Sequence, residues 1–243
     1  MIQPGPVPGY PMPVDLRLKL LELTSIRPTL SMRDLSALPQ ANLQQKLAAL
    51  SSNGFVTFSD SVLSMDDRQR VMLAEQLIHS GSDPKKVSSF LAWQEFENFA
   101  DHVLKENGFS TQRHLIFRSE ARRREIDVFA WNDTFMLAVD CKHWLRGLSP
   151  GRIRDAAEAQ VERAAALARR PELLYRLKVA HPEGRSITPV ILALGELRER
   201  LIEGVPVVSV SKLISFIYGV SPIDGSVRRI RVPDLRHRQL RLT

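Results

Sequence analysis

The chain has 243 residues, 44% of them apolar, enough to bury a core in one large or two small domains. Its net charge of +7 and pI of about 9.9 favour polyanionic partners, nucleic acid first among them. One cysteine, Cys141, excludes an intrachain disulfide and a thiolate zinc site and fits a reducing, cytoplasmic setting. No apolar run is long enough to span a bilayer.

Residues 1–13 carry Pro4, Pro6, Pro8, Pro11 and Pro13 and are expected to form an extended tail. A basic region followed by an apolar one is missing there, so no signal peptide is read. From Val14 to about Met65 the pattern is a small helical unit closed by a hairpin. Leu16, Leu18, Leu20, Leu21 and Leu23 give a first helix its apolar face, and Arg27-Pro28 stops it. Ser31 is placed to cap a short helix reaching Leu38, followed by a turn at Pro39-Gln40. A further helix over Ala41–Ser51 carries Leu43, Leu47 and Leu50 on one face. Gly54 ends it, and Phe55, Val56, Phe58, Val62 and Leu63 supply two strands around Ser59-Asp60.

This order, with Leu43–Leu50 followed by Asn53-Gly54-Phe55-Val56, resembles a winged helix-turn-helix. Asn42, Gln44, Gln45 and Lys46 lie opposite the leucine stripe; they contact DNA or form a solvated helix face. Such modules also dimerise or dock proteins. A connecting helix over Asp66–His79 leads to a break at Gly81 and Asp83-Pro84, and a new helix starts near Pro84 and reaches Lys105, straight or kinked. The domain boundary is expected between residues 80 and 88. The divisions are thus 14–65, a helical linker 66–87, a second domain 88–221 and a basic C-terminal segment 222–243, with one more strand near Val227–Val232.

The second domain reads α, β, β, β, α, β, β, α. Its first helix stops at Asn107-Gly108. Strands are expected over Ser110–Phe117, Glu125–Trp131 and Phe135–Lys142, then a helix over Arg152–Arg169. Continuous apolar runs at Ile187–Leu194 and Val205–Val210 read as buried central strands, and Ser211–Tyr218 as a short helix.

Asp127 sits inside one apolar strand, and Asp140 and Lys142 end the next. A buried carboxylate is costly unless compensated. Antiparallel pairing of these strands brings Asp127 close to Asp140, and period-two alternation puts Asp140 and Lys142 on one side. Two adjacent carboxylates call for a cation, and oxygen ligands without clustered His or thiolates select Mg²⁺ or Mn²⁺. A D-x-K triplet alone is weak, since Asp83-Pro84-Lys85 also fits, and Asp140 with Lys142 could be a plain salt bridge.

Phe96-Glu97, Asn107-Gly108-Phe109, Glu125-Ile126-Asp127-Val128 and Val139-Asp140-Cys141-Lys142 together resemble the PD-(D/E)XK nuclease signature, nearest the Mrr-like restriction endonucleases and archaeal Holliday-junction resolvases. The resemblance covers about Trp93 to Arg170. It implies an α/β restriction-endonuclease-like αβββαβ core with a mixed central sheet, and a metal-dependent DNA endonuclease. It implies Asp127, Asp140, Glu97 and the main-chain carbonyl of Cys141 as metal ligands, with Glu95 competing for the role of Glu97. Lys142 would orient the attacking water, and Gln160 would stand near the site or be an exposed structural glutamine. Ile126 stands where the family name implies proline. Arg122-Arg123-Arg124 at the turn into the second strand, and His143, Arg146, Arg152 and Arg154 after the third, are candidate phosphate contacts; Trp144 is a packing residue. The expected partners are DNA and a second copy of the chain, as a homodimer, with restriction, repair or junction resolution, and RNA in place of DNA, all open. The reading from another class is a DNA-binding regulator with an inactive nuclease fold.

Overall fold

In α1 (Val14–Ile26), Leu16, Leu20 and Leu21 are buried, and the helix ends just before Pro28, which has no amide hydrogen to donate. The computed structural model describes residues 14–38, 40–142, 150–195, 200–219 and 225–234. The expected tail 1–13, Pro39, His143, Trp144, Arg146 and most of the C-terminal segment lie outside them. The chain divides into two compact units between Ala92 and Trp93. No helix among the described residues is long and apolar enough to cross a membrane.

In the first unit, the stretch expected to start a helix at Ser31 is instead strand β1 (Thr29–Ser31). Leu30 is buried against Leu63 there, and burying that leucine in a sheet outweighs the local helix-start signal. Ser31 caps no α-helix. Its amide and hydroxyl donate to Asp34 Oδ2 at 2.8 and 2.7 Å, and only a 3-10 turn follows over Asp34–Ala37. Helix α2 (Leu43–Ser52) buries Leu43, Leu47 and Leu50. Strands β2 (Thr57–Ser59) and β3 (Val62–Ser64) are joined by Asp60 and Ser61 at φ of 49° and 62°, the two left-handed residues that a twisted two-residue hairpin needs. The sheet order is β1-β3-β2.

Helix α3 (Asp67–His79) opens on a capping box in which Gln69 N donates to Asp66 Oδ1 and Asp66 N to Gln69 Oε1. Arg70 is buried and donates to the Leu21 carbonyl, the Thr24 hydroxyl and the Phe90 carbonyl, tying α1 and α3 to the segment after α4 (Pro84–Ser88). The stretch expected to be a linker therefore belongs to the first unit. The helix expected from Pro84 to Lys105 is two helices, broken after Ser88.

The second unit begins with α5 (Trp93–Glu106), which stops at Gly108, φ +83°, a left-handed position that a Cβ disfavours. Strands β4 (Ser110–Ser119), β5 (Arg122–Trp131) and β6 (Met136–Lys142) form an antiparallel meander. Helix α6 (Pro150–Ala168), helix α7 (Pro171–Arg176) and strand β7 (Ser186–Ala193) follow, β7 lying parallel to β6. Strands β8 (Leu201–Ile202) and β9 (Val205–Ser209) and helix α8 (Leu213–Gly219) come next. The mixed sheet runs β4-β5-β6-β7-β9-β8. Its parallel strands β7 and β9 are buried almost throughout, as their unbroken apolar runs require. The short strand β10 (Ile230–Arg231) pairs with the start of β7, so this part of the expected C-terminal segment belongs to the sheet.

Candidate active site

Strands β5 and β6 pair Val128 with Val139, and one further step in that register sets Asp127 across from Asp140. The Cys141 amide donates to Asp127 Oδ2 at 2.8 Å, which fixes the carboxylate against the neighbouring strand. Burial first, and the Asp140 charge second, push the Asp127 carboxyl up to about 6. Asp140 is almost fully buried and is faced by two cations. Lys142 Nζ lies 3.2 Å from Oδ1 and 3.1 Å from Oδ2, and Arg163 donates to Oδ1 at 3.0 Å. The Lys142 ammonium also stands 5.4 Å from the centre of the Trp93 ring, so α5 and β6 hold it between them.

Glu97 is 2% exposed, whereas Glu95 is half-buried. Burial raises the Glu97 carboxyl above its ordinary range, opposed mainly by His114. Its charge also acts on Asp127, so Glu97 is the α5 acid that the fold brings toward the pair. Among the described residues, oxygens Glu97 Oε2 and Asp140 Oδ2 are buried without a partner in hydrogen-bond geometry. His114 Nε2 and Lys142 Nζ each stand 3.1 Å from one of them, within ion-pair distance but not aligned as hydrogen bonds. The contact distances give the electrostatics; the missing alignment means each oxygen keeps capacity for another donor or a cation. Among the described residues, no three His, Cys, Asp or Glu side chains are arranged to hold an ion as they stand. The Cys141 thiol is buried, and burial pushes its pKa well up, so its side chain is inert.

Gln160 is fully buried, which overturns its alternative reading as an exposed helix residue. The spacing of Ala157, Gln160, Val161, Ala164 and Leu167 turns that face of α6 to the sheet. Gln160 Nε2 donates to the Ala138 carbonyl at 2.7 Å, and its Oε1 accepts from Arg163 at 2.7 Å. The glutamine thus anchors Arg163 over Asp140. Gln160→Leu keeps the volume but strands the Ala138 carbonyl, and urea unfolding is expected to lose about 1–3 kcal/mol. An unchanged unfolding midpoint would show that the amide anchors nothing.

Two site residues were missed in the sequence, Arg163 and His114. Arg163 lies three residues beyond Gln160 on α6, a helical spacing that could have flagged it. His114 gives no signal in one sequence. It lies mid-strand in β4 at φ 48°, between the paired positions Arg113–Val128 and Leu115–Ile126, across from Asp127.

The arginines expected in a turn are in β5 itself, because the hairpin turn is Glu120-Ala121, at φ 53° and 61°. Neither is a usual residue for left-handed backbone, so the turn left no signature. Arg122 and Arg123 are exposed, Arg123 at 3.8 Å from Glu125, and Arg124 pairs with Glu162 at 3.2 Å. Arg152 is exposed, and Arg154 pairs with Glu203. In the first unit Asn42, Gln44 and Gln45 are exposed, while the Lys46 ammonium folds back onto the Ala41 carbonyl at 2.9 Å. Residues 1–92 hold nine Lys and Arg against eight Asp and Glu, and residues 93–243 hold 25 against 19, so the positive charge belongs to the second unit.

No protein-family model matches the chain, and no curated protein matches it. Among solved structures, protein VC1899 from Vibrio cholerae overlaps with it at 12% identity and a TM-score of 0.35, over 85% of this chain and 50% of that one. A protein of unknown function, AF1548, overlaps at 19% identity and a TM-score of 0.28, over 42% of this chain and 48% of that one. Can2 from Sulfobacillus thermosulfidooxidans, solved in complex with cyclic tetra-adenylate, overlaps at 10% identity and a TM-score of 0.28, over 76% of this chain and 44% of that one. The chain spans half or less of the length of these structures. Overlaps this partial carry no functional argument, and function is read from the side chains alone.

Proposed function

We propose that the second unit is a metal-dependent DNA endonuclease of the PD-(D/E)XK kind and that the first unit is a winged helix-turn-helix that helps place it on DNA. The observation that carries this reading is the meeting of Asp127, Asp140 and Lys142 on adjoining strands, with buried Glu97 brought up from α5, in the order α5-β4-β5-β6-α6-β7. Two buried oxygens with spare capacity, and an acid raised first by burial and then by its neighbour's charge, fit a cation, and an all-oxygen set fits Mg²⁺ or Mn²⁺. Asp127, Asp140, Glu97 and the Cys141 carbonyl would hold it. Such an ion, when bound, polarises a phosphoryl oxygen and acidifies a water.

The chain's own groups do the rest. Lys142 supplies positive charge beside Asp140, where negative charge develops on the phosphate. Gln160 holds Arg163 against the same carboxylate. Exposed Arg122, Arg123 and Arg152 supply backbone contacts to a nucleic acid. A homodimer would offer one such site to each strand of a duplex.

A second reading, a nucleic-acid-binding fold without catalysis, draws on one observation: Asp140 already has two cations facing it. Linear, branched and single-stranded DNA, each incubated with Mg²⁺ or Mn²⁺, separates the two. Wild-type protein is expected to cut, and Asp140→Ala to lose at least the roughly 10²–10³-fold that one preorganised charged group contributes, while still retarding DNA in a gel. A variant that cuts like wild type refutes the site. A wild-type protein that binds and never cuts favours the second reading.

A further inference from the structure

Residue 114 departs from the strand around it. Strand β4 pairs with β5 on both sides of it, yet His114 takes a left-handed backbone at φ 48°, which costs an L residue energy and interrupts the ladder. Backbone strain of this kind persists only where the surroundings impose it. Here the ring lies between two carboxylates: Nε2 is 3.1 Å from Glu97 Oε2, and Nδ1 is 3.3 Å from Glu125 Oε1. Glu97 is buried, whereas Glu125 and His114 are partly exposed, so the imidazole spans from the surface to the interior. The register position of His114 is across from Asp127. Three elements, α5, β4 and β5, are thus joined at one ring beside the acid pair.

We propose that His114 is a positioning residue: its ring, held by the left-handed backbone, sets Glu97 in the orientation in which Glu97 joins Asp127 and Asp140 as a cation ligand. This rests on the nuclease reading above. A plain structural staple would favour an unstrained backbone and would not place its nitrogen at a buried acid whose charge acts on Asp127. Outer partners that orient a ligating carboxylate typically change metal affinity by about 10–100-fold when removed.

Glycine accepts a left-handed backbone without strain, so His114→Gly removes the ring while leaving the fold its preferred geometry. His114→Asn, which also tolerates that backbone and keeps a donor, is the conservative partner. Full-length proteins would be compared by thermal melting, by Mn²⁺ binding and by cleavage as a function of Mn²⁺. The expected result is a His114→Gly protein that melts no lower than wild type, needs at least about tenfold more Mn²⁺ for half-maximal cleavage, and keeps most of its rate at saturation. His114→Asn should recover part of the shift. In a Glu97→Gln background, His114→Gly should add nothing, because the histidine acts through that acid.

An unchanged Mn²⁺ dependence in His114→Gly, or effects that add in the double variant, would overturn the assignment while leaving the nuclease reading intact. Wild-type protein that neither binds Mn²⁺ nor cleaves would remove the nuclease reading and this inference together, and that outcome shows in the wild type alone.

Discussion

Asp127→Asn is expected to give a protein that is more stable at neutral pH and that, on the proposed nuclease reading, does not cut DNA. In the folded chain this carboxyl, half-buried by surface exposure but largely desolvated, is pushed from 3.8 up to about 6, by that desolvation first and by the Asp140 charge second. The sign follows from linkage. Above pH about 6 the folded state carries the full penalty of an ionised Asp127; the penalty is relieved as pH falls through about 6 and is gone below the unfolded value. At about 1.4 kcal/mol per pH unit, the penalty at neutral pH is ~3 kcal/mol. Asparagine removes the charge, and its amide oxygen can still accept the hydrogen bond that the Cys141 amide now gives Asp127 at 2.8 Å. Calorimetry at pH 7.5 should find the variant melting higher, by roughly 2–4 °C for each kcal/mol gained, and at pH 4.5 most of the gap should close. Added Mg²⁺ should raise the wild-type melting temperature and leave the variant where it is. A variant less stable than wild type at pH 7.5 contradicts the electrostatic account of this strand.

Lys142→Gln should separate catalysis from metal binding. The ammonium lies within 3.2 Å of both Asp140 oxygens, so it neutralises the same carboxylate that a metal would use. Among the described residues, removing it leaves Asp140 paired with Arg163 and frees the oxygen that Lys142 faces without hydrogen-bond alignment. Metal affinity is therefore expected to hold or rise. The rate should nevertheless fall by roughly 10²–10³-fold, the effect of removing one charge aimed at the developing phosphate charge. Steady-state cleavage across a Mn²⁺ titration reads both quantities. A rate that survives the substitution removes Lys142 from the chemistry, and a rate lost only through weaker metal binding makes it a structural ion pair.

Much of the site could be read from sequence because strand periodicity is local. A carboxylate in an apolar strand, and a D-x-K at the end of the next, needed only the order of residues to be noticed, and a short turn between them forces antiparallel pairing. The leucine spacing of α1 and α2 and the unbroken apolar runs of β7 and β9 were legible for the same reason. The misreadings came where local preference and tertiary contact disagree. Ser31 looks like a helix cap, but Leu30 is buried against Leu63 from a strand more than thirty residues away. The Glu120-Ala121 turn carries no turn residues, so β5 seemed to begin three residues late. Ala92 and Trp93 divide the units because Arg70 holds the intervening helices to α1, a bond that no spacing announces.

What the order of residues determined by itself is the set of candidate groups: acids with oxygen donors only, a lysine beside them, a basic second half and no thiol pair. Only the tertiary structure decided which groups complete it. Glu97 rather than Glu95 is buried toward Asp127, Gln160 is anchored inside, Arg163 covers Asp140, and His114, on a left-handed backbone, stands 3.1 Å from the buried glutamate. The reason is physical: periodicity reports which side of its own element a residue occupies, whereas a charge's partner comes from a different element, and only packing sets that distance.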